Sequence, residues 1–361
     1  MEQAYQANLL PLSANNINQN YFLDELIDAT AKLEVYKEKI KDSKLNSACF
    51  MPTFQQKEAL ASSMLEGTQA TLDDVLMNKI DSSDKNKNIN EVSNYYKATL
   101  KGYILLNNSL FTNDFFLRMH EELMSGNVRK PKLIGKYRTT QNYIGTNDSA
   151  HSITFIPPKP NDVPILMNNL IDYINDPKDK YRPLVRTAIV HAQFETIHPF
   201  MDGNGRVGRM LILMYLFANK QIDRPYFFIS EALEKDKIRY YSLLNDIRYK
   251  GDWNEWIKFF LSTVASQCDK YINLISAINS LYEKDLKIAT SAIKSSSIVD
   301  IMNYLYSSPI VTANNVAEQT GIPMTSVNRY LNTLVNKRIL YTNNKKRNKK
   351  FFYSELLNIL R

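Results

Sequence analysis

The length and composition of the chain indicate a globular protein of two or three domains. It has 361 residues, 44% of them hydrophobic and 23% charged, and its longest apolar run, residues 210–218, is too short to cross a bilayer. The N-terminus has no basic start followed by an apolar core, and two cysteines in so long a chain fit a reducing compartment. We therefore expect a cytoplasmic protein without a signal peptide or a membrane segment.

The formal net charge of +8 is unevenly distributed along the chain. From Lys294 to the C-terminus there are ten basic and three acidic side chains, which account for +7 of this charge. The preceding part is nearly neutral, so the basic character belongs to the C-terminal tail.

Apolar residues recur at helical spacing through most of the chain before the tail. Helices are predicted over residues 22–40, 54–66, 72–80, 92–106, 113–124, 161–175, 183–197, 206–219 and from about 253 to 281. Thr71 with Asp74 is typical of a capping box, and Gly67 ends the second helix. Residues 81–90 read as a polar loop, and residues 284–297 as the exit from the domain.

The second predicted helix carries Ser62 and Glu66 four residues apart, on one face. A glutamate near a helix end is ordinarily solvated, and that is the alternative for Glu66 when it is taken alone.

Residues 139–156 give the only strand signal before the tail. β-Branched and aromatic residues from Thr139 to Ile144, a turn-like stretch at 145–149 and alternation from His151 to Ile156 predict a β-hairpin. The alternative to a functional hairpin is one that only closes the core, and His151 is interpreted as a surface histidine. His120 and His191 fall in helical patterns and are interpreted as satisfied core or supporting residues.

The segment HAQFETIHPFMDGNGRVGR, from His191 to Arg209, combines the groups that bind and activate phosphate. Pro199 and Gly203 predict a turn before a helix, where free backbone N–H groups and the positive end of the helix dipole favour an anion. The turn and the helix start contain Asp202, Gly203, Asn204 and Gly205.

Four side chains of this segment suit nucleotide chemistry. Arg206 and Arg209 are three residues apart, project from one helical face and can pair with phosphate oxygens. Asp202 suits Mg²⁺, which favours carboxylates and substrate phosphates, and His198 suits a general base near neutral pH. For any single residue the alternative is a glycine-rich turn with a capping aspartate and solvated arginines, so the inference depends on their joint spacing.

The spacing His198-Pro-Phe-Met-Asp202-Gly-Asn204-Gly205-Arg206-Val-Gly-Arg209 matches without a gap the signature HxFx(D/E)GNGRxxR of the Fic family. The chain resembles that family over about residues 1–290. The resemblance implies a mainly α, Fic-type helical bundle with a β-hairpin flap, and an adenylyltransferase that moves AMP from ATP to a Ser, Thr or Tyr hydroxyl of a protein target or of itself.

The resemblance also implies a role for each residue of the signature. His198 takes the hydroxyl proton, and Asp202 holds Mg²⁺ between the α- and β-phosphates. The remaining implied phosphate ligands are Gly203, Asn204, Gly205, Arg206 for the β-phosphate and Arg209 for the γ-phosphate.

Many Fic proteins carry (S/T)xxxE(G/N) on a helix that obstructs the ATP site, and Ser62, Glu66 and Gly67 match it here. The resemblance implies that Glu66 pairs with Arg209 and so occupies the guanidinium that the γ-phosphate needs. The chain thus resembles the class with an N-terminal inhibitory helix.

Two further elements take a role from the resemblance. The hairpin becomes a flap on which a target segment lies as an added strand, through Thr140, Gln141, Asn142, Tyr143, Ile144 and Gly145. Relatives often have a small Gly/Ser turn where this chain has TNDSAHS, which puts target choice in doubt and leaves the phosphate chemistry untouched. The adenine is placed near Tyr240 and Tyr241, whose alternative is core packing.

The tail predicts a winged helix-turn-helix domain. Helices are predicted over residues 297–306, 313–319 and 325–337, and two strands, 339–342 and 351–353, flank the basic stretch NNKKRNKK. In the third helix Ser326, Asn328, Arg329 and Asn332 are expected to face outward, with Val327, Tyr330, Leu331 and Leu334 inward. Phosphate contacts from residues 345–350 would give salt-sensitive nucleic-acid binding, and the alternative is a protein-contact module.

We therefore expect an N-terminal helical extension with the inhibitory helix over residues 1–90, a Fic catalytic domain over 91–290 and a winged-helix domain over 291–361. The substrates are ATP with Mg²⁺ and a protein hydroxyl, nucleic acid is a candidate partner of residues 295–361, and a homodimer is left open. Two alternatives stand beside adenylylation: removal of AMP from a modified target, with Glu66 positioning a water, and a DNA-binding regulator with a nucleotide-sensing Fic domain. Fic relatives that transfer phosphate instead have Lys at position 205, and Gly205 argues against that reaction.

Overall fold

The computed structural model describes residues 3–13, 16–80, 86–107, 109–126, 133–145, 153–343, 345 and 348–361. The chain divides into two units, each built from several stretches of sequence. The first contains Met1–Leu33, Ala61–Thr68 and Glu91–Gln267, and the second contains Glu34–Leu60, Gln69–Asn90 and Cys268–Arg361. None of the described helices is both long enough and apolar enough to span a membrane.

The helices of the chain before the tail follow the predicted order. They are α1 (Leu23–Lys41), α2 (Ser47–Leu65), α3 (Leu72–Asn78), α4 (Lys87–Leu106), α5 (Asn113–Leu123), α6 (Val163–Asn175), α7 (Pro183–Ile197), α8 (Asn204–Ala218), α9 (Ser230–Lys235), α10 (Lys237–Lys250) and α11 (Trp253–Ala292). The capping box of Thr71 and Asp74 is present at the start of α3, as predicted.

Helices α7 and α8 form the buried centre of the first unit. Every residue of α7 from Leu184 to Ile197 is buried, and α8 is buried from Val207 to Leu216. The polar residues of α7, such as Arg186 and His191, are buried with the apolar ones. The burial of α8 agrees with its sequence, which is apolar almost all round. The indole N–H of Trp256, in α11, donates to the Ala188 carbonyl at 3.0 Å and fixes α7 from one side.

Three predicted helix boundaries were wrong. α2 begins at Ser47, seven residues early, although Pro52 inside it lacks the N–H of one helical bond. α4 begins at Lys87, inside the predicted loop. α11 continues to Ala292 through most of the predicted exit segment, because Ile278, Tyr282 and Ala289 keep a buried stripe at helical spacing. Helices α9 and α10 were not predicted.

The β-hairpin is confirmed, but its first strand is shorter than expected. Strand β1 (Ile144–Gly145) pairs antiparallel with β2 (Ile153–Phe155), with Ile144 opposite Phe155. The predicted strand residues 139–143 are not paired. Gln141 and Asn142 use their side chains instead, donating to the carbonyls of Pro157 and Phe200, each at 2.9 Å. His151 lies outside the described residues.

The tail forms the helix-turn-helix and sheet that the sequence predicts. Its elements are α12 (Ser297–Ser307), β3 (Ile310–Thr312), α13 (Ala313–Thr320), α14 (Met324–Asn336), β4 (Tyr341–Thr342), β5 (Lys350–Phe352) and α15 (Ser354–Leu360). The strand order is β3-β5-β4, all antiparallel. β3 and α15 were not predicted, since each is short and has no turn signal of its own.

The faces of α14 are as predicted. Val327, Tyr330, Leu331 and Leu334 are buried, while Asn328, Arg329 and Asn332 are exposed and Ser326 is half-buried. The amphipathic spacing was enough to assign these faces because a surface helix buries one stripe only.

Candidate active site

The end of α7 sets the position of His198. His198 caps the helix in a left-handed conformation, φ 50° and ψ 60°, and its N–H donates to the Phe194 carbonyl. The imidazole Nδ1 lies 3.3 Å from the carbonyl oxygen of Glu195 and 3.9 Å from its carboxylate Oε2. About 18% of the side chain is exposed. Burial, with the charge of Arg248, lowers the pKa of His198 to about 3, so the imidazole is neutral at physiological pH.

The turn from His198 to Gly203 is held by two buried polar side chains. Arg138 donates from Nε to the His198 carbonyl at 2.9 Å and from Nη2 to the Pro158 carbonyl at 2.5 Å. The Asn204 amide accepts from the Phe200 N–H at 2.8 Å and donates to the Phe200 carbonyl at 2.7 Å. These bonds satisfy backbone groups of His198 and Phe200 within the turn. The N–H groups at the start of α8 therefore remain available to a bound ligand.

The start of α8 has the features of an anion site. Gly203, the residue before the helix, has φ 78°, and its N–H donates to Asp202 Oδ1 at 2.6 Å. The Asp202 side chain is 65% exposed. Its Oδ1 lies 3.5 Å from Nη2 of Arg206, which is almost fully buried. Arg206 Nε has no hydrogen-bond partner among the described residues, an arrangement that leaves a buried guanidinium able to take an anion.

The end of α2 binds Arg209 at three points. Arg209 donates from Nε to Ser62 Oγ at 2.8 Å, from Nη2 to the Ser62 carbonyl at 2.8 Å and from Nη2 to Glu66 Oε1 at 2.7 Å. The Glu66 carboxylate also lies so close to Gly205 that a Cβ there would collide with it. Burial opposes ionisation of Glu66, but the charge and hydrogen bond of Arg209 outweigh it and lower the pKa of Glu66.

The predicted adenine tyrosines differ in exposure. Tyr240 is fully buried, and its hydroxyl bonds Nε2 of His191 at 2.9 Å. Because His191 Nδ1 lies 2.9 Å from the Gly208 carbonyl, which only accepts, Nδ1 carries the proton and Nε2 accepts from Tyr240. Tyr241 is half-buried, so it is the one of the pair with surface available to a ligand.

The predicted flap residues border the turn. Asn142 donates to the Phe200 carbonyl, and Thr140 Oγ1 lies 3.4 Å from Met201 Sδ. Tyr143 is 59% exposed, next to the short strand that contains Ile144 and Gly145. Gln141 is tied back to the Pro157 carbonyl.

The sequence reasoning missed several polar residues around the turn. Arg138 is only 2% exposed, Glu195 is buried beside His198, and Arg248 donates to the Glu195 carbonyl at 3.1 Å. His120, interpreted from the sequence as a core or supporting residue, contacts the Asp202 carbonyl through Nε2 at 3.1 Å and stacks on Phe200. Glu195 alone had a signal in the sequence, its place three residues before His198.

Three family models match this chain. Residues 110–216 match the Fic/DOC family, residues 23–104 match the Fic/DOC family N-terminal model, and residues 298–344 match the IclR helix-turn-helix domain.

Curated relatives are similar to parts of the chain. Protein adenylyltransferase fic-1 of Caenorhabditis elegans is 28% identical over 178 residues, which cover 48% of this chain and 32% of that protein. A protein of Aquifex aeolicus, named as a probable protein adenylyltransferase, is 22% identical over 250 residues, covering 62% of this chain and 73% of its own. The chain therefore spans about a third of the length of the nematode relative.

Solved structures share the fold. A Fic family protein from Desulfovibrio desulfuricans superposes with a TM-score of 0.59 at 19% identity, covering 98% of each chain. Fic-1 from C. elegans superposes with a TM-score of 0.53 at 21% identity, covering 71% of this chain and 74% of that one. At these identities the likeness concerns the fold alone.

Proposed function

Because the chain belongs to the Fic/DOC family, we propose that it is a protein adenylyltransferase, which transfers AMP from ATP to a Ser, Thr or Tyr hydroxyl of a protein target or of itself. One observation carries this proposal. A neutral imidazole, a helix N-terminus and two buried guanidiniums meet at a single turn, and the glutamate bound to one guanidinium directly follows helix α2.

The phosphates of ATP bind at the start of α8 in this proposal. The N–H groups of Gly203, Asn204 and Gly205 lie at the helix start, where the helix dipole favours negative charge, and that of Gly203 exchanges its bond to Asp202 for one to phosphate. Arg206 supplies a guanidinium that is buried and incompletely bonded, and it takes the β-phosphate. Arg209 takes the γ-phosphate once Glu66 has left it.

His198 acts as the base. Its Nδ1 faces the Glu195 carbonyl, which can only accept, so Nδ1 carries the proton and Nε2 is free to take one. Nε2 takes the proton of the target hydroxyl while the hydroxyl oxygen bonds the α-phosphorus. The bond from the α-phosphorus to the bridging oxygen breaks, and pyrophosphate leaves with the electron pair. Positioning and electrostatic stabilisation supply most of the acceleration in such a transfer.

The donor set at the turn fits Mg²⁺. Among the described residues no group of three or more potential metal ligands occurs, and Asp202 is a single, largely exposed carboxylate at the anion site. Mg²⁺ is commonly held by one or two carboxylates together with substrate phosphates and waters. Asp202 would hold the ion, which when bound would neutralise charge on the departing pyrophosphate.

The remaining contacts are assigned by the same proposal. Tyr241, half-buried next to the fully buried Tyr240, contacts the adenine. The target lies along residues 140–145 of the flap, where a strand pairs through its backbone and leaves the target sequence loosely specified.

Glu66 acts as the brake on the enzyme. It occupies Arg209, and its carboxylate lies against Gly205, where the phosphates are to approach. Release of Glu66 frees the guanidinium and the helix start together.

The test is AMP incorporation from ATP labelled at the α-phosphate, with intact-mass analysis of the product. Glu66→Gly should label itself or a lysate protein far more than the wild type, by a gain of one AMP. Glu66→Gly with His198→Ala should bind ATP but not transfer AMP from it.

Unchanged labelling in Glu66→Gly would reject the role of Glu66 as the brake, and full labelling without His198 would reject its role as the base. A loss of AMP from a modified target would instead favour de-AMPylation, and a gain of phosphate alone would favour phosphotransfer.

A second function, binding of duplex DNA by the winged-helix residues, is favoured by the charge of that segment. Residues 324–353 contain eight basic side chains and no acid, and α14 exposes Asn328, Arg329 and Asn332 along one face. A helix with such a face suits the major groove, and basic residues flanking it suit phosphates.

A further inference from the structure

Glu195 is a buried acid next to the proposed base. It lies in the last turn of α7, 5% exposed. Its Oε2 is 3.9 Å from His198 Nδ1, and its Oε1 has no hydrogen-bond partner among the described residues. A buried carboxyl oxygen without a partner is costly, so its retention in a packed helix needs a reason.

The Glu195 carboxyl is tightly packed against α8. α8 passes directly over Oε1 at Gly208, where an added Cβ would collide with it. The Gly208 carbonyl is in turn bonded to His191, so the helix cannot easily shift away.

Arg248 forms no ion pair with the acid. Arg248 donates to the Glu195 backbone carbonyl at 3.1 Å and to Thr196 Oγ1 at 3.3 Å, so it fixes the end of α7 rather than the carboxylate. Among the described residues, the basic side chain within ion-pair distance of the Glu195 carboxyl is the neutral imidazole of His198.

The charges that face Glu195 come from four elements. Arg209 approaches from α8, Arg248 and Tyr240 from α10, Glu66 from the end of α2, and His198 from the turn. Burial raises the pKa of Glu195 to about 7, the charges of Arg209 and Arg248 oppose that rise, and Glu66 adds to it. The acid is therefore able to exchange a proton near neutral pH.

We infer that Glu195 is a positioning residue for His198. Its backbone carbonyl accepts from Nδ1–H, and its carboxylate, 3.9 Å from Nδ1, stabilises the imidazolium that forms when Nε2 takes the hydroxyl proton. A base that is itself oriented by a third group is a recurrent arrangement in transfer enzymes. His198 needs such help, because its pKa of about 3 in this environment is far below that of an efficient base. The inference rests on the proposed transfer reaction.

The test compares Glu195 with Glu195→Gln in full-length chains that also carry Glu66→Gly. Gln has the same shape and no charge. We expect kcat for AMP transfer to fall about 10- to 100-fold, as for other residues that orient a catalytic group, with KM for ATP unchanged. In the chain that carries Glu66→Gly and keeps Glu195, kcat should rise with pH as Glu195 ionises. In the chain with Glu195→Gln this rise of kcat should be absent. Glu195→Asp, which keeps the charge, should recover part of the rate. Equal kcat and pH profiles in parent and Gln variant would overturn the inference.

A second measurement does not depend on transfer. ¹⁵N NMR of the His198 imidazole in the same two chains should show its Nδ1 signal shifting between about pH 5 and pH 8 in the chain that keeps Glu195, because the neighbouring carboxyl ionises near pH 7, and this shift should be absent in the Glu195→Gln chain. If Glu66→Gly transfers no AMP, the proposed function fails, and the NMR comparison still decides the role of Glu195. Identical His198 titrations would overturn it, provided that both chains show the same thermal unfolding.

Discussion

At the scale of single residues, His198 shows how the turn stores and offsets strain. A left-handed conformation at a residue with a Cβ costs about 1–3 kcal/mol and is common at functional sites. The His198 carbonyl is held by Arg138, and the following turn by Asn204. These buried bonds fix a geometry that the local sequence would not choose alone.

Glu195 should make the stability of the protein depend on pH. Its pKa is raised by burial from 4.5 to about 7, so between these values the folded chain keeps a proton that the unfolded chain has lost. The free energy of unfolding should fall as the pH rises through this window and level off above it, by roughly 3 kcal/mol for a shift of this size.

The Glu195→Gln variant should not show this fall in the free energy of unfolding with rising pH. Its free energy of unfolding, relative to the wild type, should increase between pH 5 and pH 8, as measured by urea unfolding at each pH. Parallel pH dependences in the two proteins would mean that the carboxyl is not buried as the structure has it.

The residues of the site divide into those that sequence can reveal and those that it cannot. His198 to Arg209 are close in the chain, so their spacing alone predicts a shared site. Arg138 is sixty residues from the carbonyl it bonds, and no local pattern marks a distant partner. Ser62 and Glu66 share a helical face, but only the resemblance to a family connected that face with Arg209.

At the scale of elements, periodicity predicted most helices because a buried stripe repeats at 3.6 residues. It failed where packing decided the boundary, as at the start of α2 and the end of α11, and for short elements such as β3 and α15. The hairpin was predicted from its residue types, yet side-chain bonds of Gln141 and Asn142 replaced the expected pairing of the first strand.

The inhibitory end of α2 has a second attachment. Lys237, at the start of α10, donates from Nζ to the Leu65 carbonyl at 2.7 Å. A cation at a helix C-terminus stabilises it by about 0.3–1 kcal/mol. Lys237 therefore holds the last turn of α2, next to Glu66, in addition to the contacts of Arg209.

Lys237→Met should weaken the proposed brake. Loss of the cap corresponds to roughly a two- to fivefold rise in AMP incorporation by the wild-type chain, well below the rise expected for Glu66→Gly. The matched control is Lys235→Met, which changes an exposed lysine two residues away and should leave incorporation unchanged. If the two lysine variants behave alike, Lys237 has no part in the inhibition.

At the scale of the whole molecule, the chain joins two kinds of surface. His198, Asn204, Arg206 and Arg209 of the proposed transferase site are largely buried around one turn, whereas the basic residues of the winged helix are spread over an acid-free stretch. The winged-helix fold was predictable in outline because α13 and α14 are joined by a Gly-Ile-Pro turn and α14 is strongly amphipathic.

The proposed DNA binding should be salt-dependent in proportion to its phosphate contacts. Each phosphate contact that is lost reduces the slope of log K against log salt concentration by about 1. Lys345 and Lys349 lie between β4 and β5, and Lys349 donates to Asn332 of α14 at 2.9 Å, beside the exposed face. Both lysines are therefore placed to reach a backbone that α14 contacts.

Replacing Lys345 and Lys349 by Ala in the full chain should weaken binding to any duplex to a similar extent and reduce the salt slope by about 2. The control is Lys44→Ala, which removes a lysine that pairs with Glu283 in the same unit and should leave the slope unchanged. Fluorescence anisotropy with a labelled duplex between about 50 and 200 mM salt, the range over which phosphate contacts weaken measurably, makes the comparison. Binding that is absent in the wild type, or equally steep in all three chains, would assign these residues to a protein contact instead.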